Sequence, residues 1–272
     1  MRVISRARGV FARWRGRDIE LKAPAEIEAM RVAGALVART LAAVVEQTKP
    51  GVSTGELDEL AEQTIRDGGG VPSFLGYHGY PASICASVNE QIVHGIPARE
   101  RILAEGDLIS VDCGAIVDGW HGDSAVTIGV GTVSEADRAL SAACRAALDA
   151  GSAAVLAGGR LTDISHAVQT AAIDAGRRDG VTYGIVAEYG GHGIGTSMHM
   201  DPFLPNHGDP GRGPRLRPGM ALAVEPMLTA GDPEALELAD GWTVVTVDGS
   251  RAVHWEHTVA VTEDGPRVLT LP

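Results

Sequence analysis

The chain contains an internal duplication, and the duplication fixes where four acids must fall. Gly106-Asp107-Leu108-Ile109-Ser110-Val111-Asp112 is echoed by Gly219-Met220-Ala221-Leu222-Ala223-Val224-Glu225: a glycine, an alternating apolar run, and an acid six residues on. Downstream, Asp123-x-x-Val126-x-Ile128 is echoed by Glu256-x-x-Val259-x-Val261. Side chains alternate across a strand. Ile109, Val111, Val126, Ile128, Leu222, Val224, Val259 and Val261 therefore share one face. Asp112, Asp123, Glu225 and Glu256 share the other with Ser110, Ala125, Thr127, Ala223, Thr258 and Ala260. A solvated sheet face would mix lysine and arginine among the acids, and none is there. A pseudo-twofold fold would bring the four carboxylates to one centre, where repulsion and desolvation would force protons onto some of them. Hard divalent cations are the usual resolution.

Each copy opens with helical sequence. Pro24 suits a first helical turn, Glu26 and Glu28 favour the positive dipole end, and Ile27, Met30, Val37, Leu41 and Val44 supply the apolar stripe until Pro50-Gly51. Ser53-x-x-Glu56 is a capping box opening a second helix to about Asp67. In the second copy, Ser134-Glu135 starts a helix to about Leu156, Gly158-Gly159 breaks it, and Thr162 caps another to about Ala175. This order predicts an α+β fold: two αα-ββ halves, about 24–130 and 131–265, sharing one mostly antiparallel sheet with helices on its outer face. The stretch 205–218, with four prolines and three glycines, reads as irregular. Residues 19–272 are expected to form one domain behind an N-terminal arm, 1–18.

That arm differs from the rest in charge. Its first 17 residues hold six arginines and no acid, so removing them from a net charge of −12 leaves −18. A body this acidic excludes a general DNA-binding role, which needs clustered Lys and Arg. Cys85, Cys113 and Cys144 are too few and too scattered for a disulfide framework or a CxxC zinc site, which fits a reducing compartment. No run of 18 apolar residues exists and the arm lacks an apolar signal core, so the expected location is cytoplasmic, away from any membrane. The arm itself has three readings. It is a solvated tail, with Val10, Phe11 and Trp14 able to pack a short helix; it docks on ribosomal RNA through phosphate attraction; or it is a short organelle-targeting peptide, which its single serine disfavours.

A histidine among the ligands would shift the site from magnesium or calcium toward transition metals. The run Gly190-Gly191-His192-Gly193-Ile194-Gly195-Thr196-Ser197-Met198-His199 offers two, in a backbone that glycine leaves free to approach closely. Together with Gly76-Tyr77-His78-Gly79-Tyr80-Pro81, Val88 to Pro97 (VNEQIVHGIP), the Asp112-x10-Asp123 pair, Glu225-Pro226-Met227 and Glu256-His257-Thr258, these motifs occur in order along nearly the whole chain. The sequence resembles type I methionine aminopeptidases, which have the pita-bread fold.

The resemblance implies that Asp112, Asp123, His192, Glu225 and Glu256 are the ligands of a dinuclear centre. Asp123 and Glu256 would bridge, Asp112 would chelate one ion, and His192 with Glu225 would hold the other. Two such ions share and activate a water or hydroxide. Cobalt, manganese, iron(II) and zinc all suit this donor set. By the same resemblance Glu225 shuttles a proton, His94 contacts the scissile amide and His199 donates to the carbonyl oxygen. Phe74, Tyr77, Tyr80, Cys85, Met198 and Trp242 would form the methionine pocket. Phe74 stands where the family often has cysteine, and Met198 where it often has an aromatic ring. The implied substrates are nascent chains and peptides with an N-terminal methionine and a small second residue; the implied state is a monomer. Two other readings share the fold: a proline-specific peptidase, which usually carries an extra N-terminal domain, and a non-catalytic ribosome-associated binding protein.

Overall fold

Helix formation follows the local signals closely at the start of the chain. In the computed structural model, which describes residues 19–272 and the backbone of Arg2 and Val3, helix α1 (Pro24–Gln47) begins at its proline and buries Ile27, Met30, Val37, Leu41 and Val44. Helix α2 (Thr54–Asp67) is opened by Ser53, whose Oγ accepts from the Glu56 N–H while the Glu56 carboxylate accepts from the Ser53 N–H. Its last turn ends at Gly68. In the second half α3 (Glu135–Ala153) stops short of Leu156, and α4 (Leu161–Asp179) runs on past Ala175.

Thr162 is not the cap of α4. Arg160 precedes the helix and the Asp163 carboxylate accepts its N–H, while the Thr162 hydroxyl instead bonds the Arg212 backbone in the 205–218 stretch. That stretch is free of helix and strand, as expected.

Strands follow each helical pair. After β1 (Arg2–Val3), they are β2 (Val71–Pro72), β3 (Ile84–Val88), β4 (Gln91–Val93), β5 (Leu108–Val117) and β6 (Trp120–Gly129) in the first half. The second half has β7 (Gly184–Ile185), β8 (Gly191–Gly193), β9 (Met200–Leu204), β10 (Ala221–Val224), β11 (Met227–Thr229), β12 (Ala235–Glu237), β13 (Val244–Thr246), β14 (Ala252–His254), β15 (His257–Thr262) and β16 (Gly265–Val268).

The duplicated strands pair within each half, β5 with β6 and β10 with β15, both antiparallel. The ladders do not merge into the single shared sheet that the sequence suggests. They form separate sheets that meet at the pseudo-twofold, where Ala125 and Glu256 exchange backbone hydrogen bonds of 3.4 and 3.0 Å. Two residues on, the Thr258 hydroxyl accepts from the Asp123 N–H and donates to the Asp123 carbonyl.

The copies also differ in register. Ile109 faces Ile128, but its counterpart Leu222 faces Val259, the counterpart of Val126. A slip of two residues leaves every side chain on its own face, whereas a slip of one would have turned the acids inward.

The apolar faces bury as predicted. Ile109, Val111, Val126 and Ile128 pack with Leu36, Val37, Leu57 and Ile65 of α1 and α2. Leu222, Val224, Val259 and Val261 pack with Leu140, Leu148, Ile164 and Val168 of α3 and α4. On the acid-bearing face, Ala260 packs under Ile27 and Met30 of α1.

Candidate metal centre and apolar pocket

All thirteen candidate site residues line one cavity of about 120 Å³. Asp112 and Asp123 sit inside β5 and β6, Glu225 directly follows β10 and Glu256 directly precedes β15. Asp123 lies across the ladder from Gly114, whose missing side chain leaves space for Phe74 and Ser73; a Cβ there would come within 2.9 Å of both.

His192 reaches the acids because β8 is wedged between β10 and β9. A Cβ on Gly191 would stand 2.2 Å from the Ala223 carbonyl oxygen, and one on Gly193 2.2 Å from that of Asp201. Only glycine fits at either position.

One oxygen each of Asp123 and Glu256 and one ring nitrogen of His192 lie within 4.8 Å of one another, and His192 Nε2 is 3.5 Å from Glu225 Oε1. Among the described residues, Asp112 Oδ1, Asp123 Oδ1 and Glu256 Oε1 are buried without a hydrogen-bond partner. Burial pushes Asp112 up to about 7. Burial, then the neighbouring acids, hold Asp123, Glu225 and Glu256 far above the carboxylate range. Burial pushes His192 down to about 3, so its imidazole is neutral and has a free lone pair. Among the described residues, no lysine or arginine lines the cavity. Orphaned carboxylate oxygens, a neutral imidazole and no counter-charge make a donor set that fits divalent cations.

The sequence reading missed one member of this group. His254 ends β14, is buried, and places Nε2 3.7 Å from both Glu225 Oε2 and Glu256 Oε2. Its place two residues before a duplicated acid, hence on the same strand face, was the available signal.

The pocket wall closes on the other side. Phe74, Tyr80, Cys85 and Met198 are buried together, with Tyr77 and Trp242 packed against them. Phe74 meets Tyr80 edge-on at 6.5 Å, and Tyr80 meets Trp242 at 5.0 Å. The Tyr80 hydroxyl is directed at the Ile84 and Gly95 carbonyls, leaving its ring to the pocket. Burial raises the Cys85 thiol well above its usual value, so Cys85 lines the pocket as a small apolar group.

His199 lies between pocket and acids. Its Nδ1 is 2.9 Å from the Tyr77 hydroxyl and its ring 4.3 Å from that of His192. His94, in the left-handed region at φ 58°, is held edge-on against Tyr189 and Trp242, and burial pushes it down to about 4. Both histidines therefore reach the cavity without a fixed positive charge near neutral pH.

Comparison with known proteins gives the family of the chain. The model of metallopeptidase family M24 matches residues 28–263. Methionine aminopeptidase 1 of Mycobacterium tuberculosis is 60% identical over 262 residues, spanning 96% of this chain and 98% of the relative. The crystal structure of methionine aminopeptidase from Thermotoga maritima matches with a TM-score of 0.89 at 41% identity, over 94% of this chain and all of that one. A prolidase from Pyrococcus furiosus matches with a TM-score of 0.69 at 20% identity, and this chain spans 65% of it; that likeness concerns the fold alone. The architecture is the pita-bread fold.

Proposed function

Because the chain belongs to metallopeptidase family M24, we infer that it is a metal-dependent aminopeptidase that removes N-terminal methionine from peptides and nascent chains whose second residue is small. One observation carries the substrate reading: a wall of aromatic rings, a methionine and an un-ionised thiol opens directly onto the four carboxylates. A thioether gains there from dispersion and sulfur–ring contact. The proline-specific reading has no comparable support, since the prolidase likeness stops at the fold. A non-catalytic binding protein would have no use for five convergent ligand side chains.

We assign Asp112, Asp123, His192, Glu225 and Glu256 as the residues that hold two divalent cations, drawn from cobalt, manganese, iron(II) or zinc. Bound there, the cations would supply Lewis-acid polarisation of the scissile carbonyl and a water acidified toward neutral pH. The protein's own groups do the rest. The six pocket residues seat the methionine side chain and fix the register of the scissile bond. His199, with Nδ1 turned to Tyr77, presents Nε2–H to the carbonyl oxygen as negative charge gathers on it. His94, neutral and pinned by two rings, steadies the scissile amide. Glu225 takes a proton on the attacking side and returns it to the departing amine.

We place this work in the cytoplasm, with the protein as a monomer; among the described residues no helix is long and apolar enough to cross a membrane. The arginine-rich arm, bar the Arg2–Val3 backbone, lies outside the described residues. Its proposed ribosome contact is tested by salt-dependent ribosome pelleting with and without residues 2–17.

The deciding experiment measures free methionine released from a Met-Ala-Ser peptide by chelator-stripped protein, before and after adding manganese or cobalt. Metal-dependent release is expected. Folded protein that instead cleaves an X-Pro dipeptide, or nothing at all, would overturn the reading.

A further inference from the structure

We propose that His254 is a positioning residue of the metal centre: its Nε2–H holds Oε2 of both Glu225 and Glu256, so that each carboxylate offers its other oxygen to the cations. The proposal rests on the metallopeptidase reading above.

Three observations support it. The first is a division of oxygens. Oε2 of each glutamate lies 3.7 Å from His254 Nε2, whereas Glu225 Oε1 faces His192 at 3.5 Å and Glu256 Oε1 is buried with no partner. The second is the ring itself. His254 is 2% exposed and its Nε2 has no hydrogen-bond partner among the described residues, an arrangement that costs stability unless the site supplies one. The closest ion-pairing groups to that nitrogen are the two carboxylates, so the proton of a neutral imidazole belongs on Nε2. The third is the anchoring. The His254 N–H is directed at Ser110 Oγ and Thr127 Oγ1, 3.1 Å each, and the Thr127 hydroxyl donates to the His254 carbonyl at 2.8 Å. These two hydroxyls come from the acid-bearing face of the other half, so His254 is fixed from across the pseudo-twofold. At 3.7 Å the two contacts are longer than hydrogen bonds. A small turn of either carboxylate closes them, and outer partners of this kind orient metal-bound carboxylates.

One ligand atom each of Glu225, His254 and Glu256 lie within 4.8 Å of one another, which also suits a direct ligand set. The test separates the two roles. Metal-stripped wild type, His254→Gln and His254→Ala are titrated calorimetrically with manganese(II). Glutamine carries an N–H at about the same reach, so it should bind within about threefold of wild type, while alanine should bind about 10–100-fold more weakly. Alanine equal to wild type would overturn the proposal, and so would glutamine as weak as alanine.

A second measurement needs no variant: long-range ¹H–¹⁵N correlation of zinc-loaded, histidine-labelled wild type. Nε2 of His254 should keep its proton when zinc binds; losing it would make His254 a ligand and overturn the proposal. If wild type takes up no metal saturably, the metallopeptidase reading fails first and the proposal goes with it.

Discussion

His199 enters the cavity with one ring nitrogen already committed. Its Nδ1 sits 2.9 Å from the Tyr77 hydroxyl, and burial raises the Tyr77 pKa, so that hydroxyl remains a donor. A donated proton at Nδ1 leaves the imidazole proton on Nε2, the tautomer an oxyanion needs. Tyr77→Phe keeps the ring in the pocket wall and removes only this constraint. One hydrogen bond is worth about 1 kcal/mol, so kcat on a Met-Ala-Ser peptide should fall about fivefold with KM little changed. Steady-state kinetics check this; a raised KM at unchanged kcat would make Tyr77 pocket wall and nothing more. The candidate residues were legible one by one because their motifs are local strings of sequence. The bond between Tyr77 and His199 was not, since 122 residues separate the partners and only the fold brings them together. His254 escaped for another reason: its meaning lies in which strand face it shares, not in any motif.

Among the elements, long helices were read most accurately and short strands least. α1 and α2 carry both a stripe and a start signal, and in α2 the Ser53–Glu56 box settles the first residue. α4 misled because Thr162 is a good cap by type but is used for a tertiary bond to Arg212. β8 is three residues of alternating Gly-His-Gly with no strand propensity at all; its neighbours force it to be extended. That weakness is what lets His192 approach β10 so closely, and it makes β8 fragile. Gly193→Ala sets a methyl group 2.2 Å from the Asp201 carbonyl oxygen, so β8 or β9 must shift and carry His192 away. Overpacking of this kind costs about 1–3 kcal/mol. For a domain of this size the melting temperature should drop by several degrees, at about 2–4 °C per kcal/mol. Manganese affinity should fall with it. Differential scanning and metal titration check both, and a variant with native metal affinity would show that β8 does not set the position of His192.

At the scale of the whole molecule, the centre is where the two halves are joined. Each half contributes two acids, and Ala125 and Glu256 exchange backbone bonds across the seam. Whatever charges or neutralises the acids must therefore act on global stability. In metal-free protein, burial raises Asp112 from 3.8 to about 7 and pushes Asp123, Glu225 and Glu256 well above their ordinary values. A group with a raised folded pKa binds its proton more tightly when folded than when unfolded. Its stabilising contribution is complete below the unfolded pKa, near 4, and is lost as pH climbs through the folded value. Six histidines, His94, His121, His192, His199, His254 and His257, are shifted downward by burial and add stability as pH rises toward their unfolded value near 6.5, so the acids govern the slope only above it. Chelator-stripped protein should thus melt at progressively lower temperature from about pH 7 upward, opposite to the usual behaviour of paired surface carboxylates. Cations compete with protons for the same oxygens, so saturating manganese should raise the melting temperature much more at pH 8 than at pH 5. Calorimetric melts of stripped and loaded protein across this range read both effects at once. A stripped protein whose melting temperature is flat or rises with pH above about pH 7, where the histidines no longer titrate in either state, would mean that the four acids are paired by something within the chain. The cation requirement inferred from their duplication would then lose its physical basis.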